Sequence, residues 1–324
     1  MLKIYHGEIP AFIQKAVKSP EMQRIRKVGM DCGCEYTALS LWQNVTPYKR
    51  YEHSIGVALI VWHFTGSEKQ ALAGLFHDIS SPAFAHVVDF MNNDHLTQES
   101  TEAGTKEIIE NSAEIQKLLK SLDLTVEDVC DYHRYPIADN DPPKLSADRL
   151  EYTLCNLVRY QSYSRDDVKR MYDDLMVGIN EYGEEELMFC DPLIAREFVL
   201  GCLKNSRLYV CDEDRYSMEV LARILRKAII NKAIDYEDLY KDEEYIIKRI
   251  KNSQDWYWFT RLNRVERNTH YNGACWIQIR AKKRYIDPYV YGKGRLSLLD
   301  PLVKEELQKF INLDFDSYLK GFIR

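Results

Sequence analysis

No apolar run in this chain is long enough to cross a membrane. The longest strongly apolar stretch covers 54–66, and the uncharged, partly apolar stretch 37–48 is no longer than that; both fall short of the roughly 20 residues a helical span needs. The opening MLKIYHGEIPAF lacks a basic segment followed by an apolar one, so no secretory signal is expected. No C-x-x-C occurs among the eight scattered cysteines, at 32, 34, 130, 155, 190, 202, 211 and 275. That excludes the common zinc-finger and disulfide-scaffold patterns, and the close pair Cys32 and Cys34 reads as incidental. Reduced thiols without a signal make the cytoplasm the expected location. Positive charge is not in excess either. The balance of 44 Lys+Arg against 50 Asp+Glu leaves −6, with a pI near 5.8, which argues against broad electrostatic binding to nucleic acid. There is no internal repeat, no low-complexity tract and no βαβ alternation, so a doubly wound sheet is not expected.

What is present is the composition of a globular protein, 45% apolar and 29% charged over 324 residues. Helix signals dominate. Ser19–Pro20, Asp191–Pro192 and Asp300–Pro301 pair an N-cap residue with proline at the first helical position. Thr125 with Asp128, and Ser164 with Asp167, fit the capping-box spacing. Residues 213–233 carry Met218, Leu221, Ala222, Leu225 and Ile229 at helical spacing, and 305–311 is a shorter amphipathic run. The region 273–291 instead alternates and is bounded by Gly and Pro, which predicts two or three short strands; 182–189 predicts a small hairpin, and 138–144 a loop. The expectation is a mainly α-helical bundle with a small β element in the C-terminal third. Its division is 1–235 as the core and 236–324 as an α+β extension packed on it.

Four polar residues stand where an apolar pattern would continue. His53 opens the helical run HSIGVALIVWHF. His77 and Asp78 close ALAGLFHDI, and Asp148 starts SADRLEYTLCNLV. Helices of these lengths suit antiparallel neighbours, so His53 and His77–Asp78 can meet in one bundle. Two imidazoles and two carboxylates form a mixed nitrogen and oxygen set that suits Mn, Fe or Zn, and suits Mg or Ca less well. Residue by residue, a satisfied core or surface group explains each of them equally well, as it does His63 on the same helix as His53.

The order H…HD…D, with 24 positions from His53 to His77, resembles the HD superfamily of metal-dependent phosphohydrolases. Its nearest likeness is to the deoxynucleoside triphosphate triphosphohydrolase-like branch. Five segments agree in order: Ile4-Tyr-His-Gly7, Ser19-Pro-Glu-Met-Gln-Arg-Ile-Arg26, Arg50-Tyr-Glu-His-Ser-Ile-Gly-Val57, His77-Asp-Ile-Ser-Ser-Pro-Ala-Phe-Ala-His86 and Ala147-Asp-Arg-Leu-Glu-Tyr152. The likeness covers about 4–230. It implies an HD-domain helical fold and one divalent ion (Mn, Fe, Zn or Mg) on His53, His77, Asp78 and Asp148. It also implies phosphate contacts from Arg50 and Arg149, and Tyr152 near a sugar. His86 would reach the scissile phosphate, with Asp89 holding its ring and Glu99 kept from the catalytic segment. The implied ligand is a small phosphate compound, a nucleotide above all. Dimers or tetramers are common in the family, while nothing in these residues proves one.

The chain departs from that pattern at Ser81, where the family has a second histidine. Thr97-Gln98-Glu99 stands where the family has Thr-His-Glu, and His95 lies three residues before Gln98. Asn156 replaces an aspartate, and about five extra residues precede Arg50. The leading expectation is a metal-dependent phosphohydrolase, either of dNTP-like nucleotides or of phosphomonoesters and diesters. The competing class is a nucleotide-binding regulator that has lost turnover, favoured by Gln98. A two-iron oxygenase is disfavoured, because Ser81 removes a ligand for a second metal.

Overall fold

The computed structural model describes residues 1–96, 104–271 and 273–323. Sixteen α-helices lie among them, with seven short strands. The mainly α-helical class expected from the capping signals is the observed one. Ser19, Ser164, Asp191 and Asp300 accept backbone N–H groups at the starts of their helices. Thr125 opens a single 3-10 turn rather than an α-helix, with its capping box intact.

The helix Arg50–Thr65 is the axis. Residues 55–61 are all buried, which is how a helix apolar on every side sits in a core. It begins one turn earlier than the apolar run suggests, so His53 lies inside the helix. Gly66, at φ +61°, ends it, and Ser67 caps the next helix, Glu68–Phe76. Gly74 lets the two helices close up: a Cβ there would stand 3.1 Å from Val57. His53 and His77 are each about 17–20 Å from the hairpin tip at 1.5 Å per residue. The two imidazoles therefore meet at its open end, with ring centroids 5.1 Å apart.

A first apolar cluster joins this hairpin to the helices Ala147–Tyr160 and Pro192–Leu208 and takes in Ile286, Val290 and Phe310 from the C-terminal third. A second is built on Asp212–Ile230 with 83–91 and 256–262. The expected helix over 213–233 runs Asp212–Ile230, and that over 305–311 begins at Pro301. The expected hairpin exists, but its first strand lies earlier. Strands β1 (Leu175–Ile179) and β2 (Glu185–Phe189) pair antiparallel across the turn at 180–184. Of the strands expected over 273–291, β4 (Ile277–Gln278) and β5 (Tyr289–Val290) form. With β3 (Leu262–Asn268), β6 (Gly294–Arg295) and β7 (Tyr318–Ile323), they make a four-stranded sheet ordered β1-β2-β5-β6 and a three-stranded sheet ordered β3-β7-β4. The segment between β4 and β5 carries Lys282, Lys283 and Arg284 to the wall of a large cavity.

Candidate metal centre and its cavity

His53 sits on the second turn of Arg50–Thr65, His77 just past the end of Glu68–Phe76, and Asp148 in the first turn of Ala147–Tyr160. Their ligating atoms lie within 4.8 Å of one another. Nε2 of His53 is 2.9 Å from Oδ1 of Asp148, and Nε2 of His77 is 3.7 Å from the same oxygen. Oδ2 of Asp78 is 3.4 Å from Nε2 of His77 and 3.9 Å from Nε2 of His53. His53, His77 and Asp148 are thus placed so that they could share one ion, and Asp78 lies beside both imidazoles.

Their outer partners orient them. Nδ1 of His77 donates to the Gly74 carbonyl at 2.7 Å, and Nδ1 of His53 donates to Glu151 at 2.6 Å. Both imidazoles therefore turn Nε2 inward, the arrangement in which a histidine ligand is held by its other nitrogen. Burial alone would lower His53, but its hydrogen bonds to Asp148 and Glu151 outweigh that and push it up to about 10. Asp78 and Asp148 are both held well below the usual carboxylate range. Burial opposes this, but Arg50 and the two imidazoles prevail at Asp78, and His53 prevails at Asp148. Buried imidazoles and carboxylates in this proportion fit a divalent cation of intermediate softness.

Glu151 was not singled out by the sequence. It is fully buried and also accepts from Tyr5, Tyr48 and Cys155. Its signal was position: it falls on the stripe of Ala147, Leu150, Leu154 and Leu157, where an acid needs a reason. Gly56 leaves room for it, since a Cβ there would stand 2.6 Å from both Cγ and Oε1 of Glu151. Gly56→Ala should therefore lower metal affinity by about 10–100-fold, although alanine is the better helix former by about 1 kcal/mol. Manganese titration of the variant measures this; unchanged affinity would remove Glu151 from the site.

The remaining sequence candidates divide. Arg50 is buried and gives Nη1 to both oxygens of Asp78, at 2.7 and 2.9 Å. Ser81 donates to Oδ1 of the same carboxylate at 2.8 Å, leaving Oδ2 toward the imidazoles. Arg149 spends its guanidinium on the loop before it: Nε donates to the Lys144 carbonyl, Nη1 to Asp139, and Nη2 to Asn140. His86 and Asp89 are in contact, Nδ1 to Oδ2, at 2.9 Å. Burial lowers the His86 imidazole, helped by Arg284 and Arg50 and opposed by Asp89. Tyr152 lies beside His53, with centroids 6.5 Å apart, and beside Tyr209 at 6.3 Å. Asn156 donates to the Tyr209 hydroxyl at 2.6 Å. His95 stacks on Phe90. His63 packs against His6, Phe64 and Tyr172, away from the metal ligands. Gln98 and Glu99 lie outside the described residues.

A cavity of about 760 Å³ has His53, His77, Asp78 and Asp148 in its wall, with His86, Tyr152 and Arg149. It also exposes Arg284, which makes no hydrogen bond or ion pair among the described residues and acts on His86, Tyr152 and Asp214 through its charge. The basic run Arg280-Ala-Lys-Lys-Arg284 was its signal, though pattern reading gives that run only as strand and loop. His133, on the same wall, is held by Asp139 at 2.8 Å.

No protein-family model matches the chain. The uncharacterized protein YdhJ of Bacillus subtilis is 29% identical over 257 residues, 78% of this chain and 75% of that protein. The metal-dependent phosphohydrolase cns2 of Cordyceps militaris is 25% identical, over 95% of this chain and 91% of that protein. Among solved structures, a phosphohydrolase from Bacteroides thetaiotaomicron superposes with a TM-score of 0.64 at 14% identity, covering 98% of this chain and 97% of that one. At that identity the likeness shows a shared fold, a mainly α-helical bundle with small β elements.

Proposed function

We propose that the protein is a metal-dependent phosphohydrolase of the HD type, acting on a small phosphate ester of nucleotide size. The observation that carries this reading is the gathering of His53, His77 and Asp148, with Asp78 beside the imidazoles, in the wall of a cavity that also holds Arg284; the two imidazoles and Asp78 are each oriented by a further hydrogen bond or ion pair. The metal-dependent phosphohydrolase of Cordyceps militaris and the shared fold support it. A divalent ion held by those four residues would supply Lewis-acid polarisation of a phosphoryl oxygen and a more acidic water.

The chain's own groups do the rest. Arg284 offers a planar guanidinium to the non-bridging oxygens. His86, kept neutral by burial and held at Nδ1 by Asp89, takes or orients a proton at Nε2. Arg50 acts through Asp78 and Arg149 through the 139–144 loop, rather than as free phosphate clamps. A triphosphate spreads about four negative charges and calls for several free cations. With two arginines already committed to protein carboxylates, the monoester or diester reading is favoured over triphosphate release.

The test is a screen of the purified protein, supplemented in turn with Mn, Fe, Zn and Mg, against nucleoside mono-, di- and triphosphates and simple phosphate esters, with products identified by mass. Release of phosphate from a monoester or diester is expected. No turnover with any metal, alongside ligand-raised melting temperatures, would instead establish a binding regulator.

A further inference from the structure

The wall of the cavity is not uniform in charge, and its acidic residues differ in what they are doing. Asp31 is spent: both its oxygens accept from Arg159, and one accepts from Tyr160 as well. Asp139 is spent on His133, Ser146 and Arg149, and Asp141 is exposed to solvent. Asp214, in the first turn of Asp212–Ile230, is different. Its backbone N–H goes to the Cys211 sulfur, but its carboxyl makes no hydrogen bond and no ion pair among the described residues. It is only partly exposed, and the surface it keeps faces the cavity. Burial, reinforced by the charge of Asp31, pushes this carboxyl well above its ordinary range, and Arg215 and Arg284 offset only part of that.

An unpaired carboxyl in a confined wall is costly until a donor reaches it. It also sorts ligands by orientation. A phosphate carries acceptors and no N–H, so it gains more at Arg284 or at an ion on the candidate ligands than beside Asp214. Tyr152, Tyr209 and Trp42 also line the cavity, with Met218 one turn beyond Asp214, and flat aromatic faces suit a planar ring. In either protonation state a carboxyl retains an oxygen that accepts from an N–H.

We infer that Asp214 is a specificity-determining residue: it accepts an N–H of the planar, ring-bearing part of a phosphorylated ligand whose phosphate lies at the metal and Arg284. This rests on the phosphohydrolase reading for the placement of the phosphate, but not for the existence of the donor site.

The test uses the full-length, manganese-loaded protein and two pairs of ligands that differ by one amino group. They are adenosine against purine riboside 5′-monophosphate, and guanosine against inosine 5′-monophosphate, with inorganic phosphate as the control. In at least one pair, wild type should bind the amino-bearing member about tenfold tighter or more. Asp214→Leu should bring that ratio to about one while phosphate affinity is unchanged. Wild type that discriminates neither pair overturns the inference, as does a preference that survives in Asp214→Leu. Should that variant also lose phosphate binding, Asp214→Ala decides: a ratio brought to about one supports the assignment, and one as in wild type overturns it. Phosphate release from the same ligands is followed separately. Its absence with every metal would overturn the phosphohydrolase reading, while the binding ratios still decide the role of Asp214.

Discussion

Asp148→Asn should abolish turnover and empty the metal centre while leaving the helical fold in place. Asp148 is the carboxylate that both imidazoles face, 2.9 Å from His53 and 3.7 Å from His77. The substitution keeps the shape and removes the charge that balances a cation. Outer partners of metal ligands typically contribute 10–100-fold in affinity, so loss of a direct ligand should exceed about 100-fold. Metal analysis after Mn, Fe or Zn loading and dialysis measures this, with wild type expected to hold one ion per chain. Circular dichroism should not change, because Asp148 lies in the first turn of its helix and Ser146, not Asp148, provides the cap. A variant that retains the ion as wild type does would show that the four residues converge for packing and not for metal.

His86→Ala should cut the rate by about a hundredfold or more, with ligand affinity little changed. The histidine stands in the cavity wall with its Nδ1 held by Asp89, and it is not among the metal ligands. The pH profile adds a second readout. Burial lowers this imidazole below its ordinary value of about 6.5, so the neutral form prevails at pH 7. If the neutral ring does the work, kcat/KM holds near and above neutrality. It falls as pH drops through the depressed value and the ring takes up a proton. The His86→Ala variant should lose that acid limb together with the rate. Full activity in the variant would transfer the role to another cavity histidine, and His95, stacked on Phe90 nearby, would be tested next.

Much of the helical framework was legible residue by residue. Ser19, Ser164, Asp191 and Asp300 announce their helices because a short oxygen-bearing side chain satisfies N–H groups that the helix cannot, and that requirement is local. Helix starts were less exact. Apolar periodicity places His53 at the opening of its helix, whereas the backbone turns helical at Arg50, since the polar first turn leaves no trace in an apolar pattern. The spacing of His53, His77 and Asp78 about Gly66 is local in the same sense: His53 and His77 stand at similar distances along the two helices from the tight turn, so the turn brings them together.

The sequence by itself therefore determined the helical class, the caps, and the side chains gathered at the open end of one hairpin. The tertiary structure alone decided what those side chains are free to do. Arg50 and Arg149 look equivalent as cations in the sequence, yet one is locked to Asp78 and the other to the 139–144 loop. Glu151 falls on an apolar stripe, but only the packing shows it to be the buried partner of His53. Arg284 and Asp214 come to the same cavity from segments 70 residues apart, and among the described residues one is left without a hydrogen bond and the other without a donor. The physical reason is that a charge's role depends on which opposite charges and donors lie within a few ångströms of it. Those neighbours are brought together by packing between distant segments, which no local pattern of residues records.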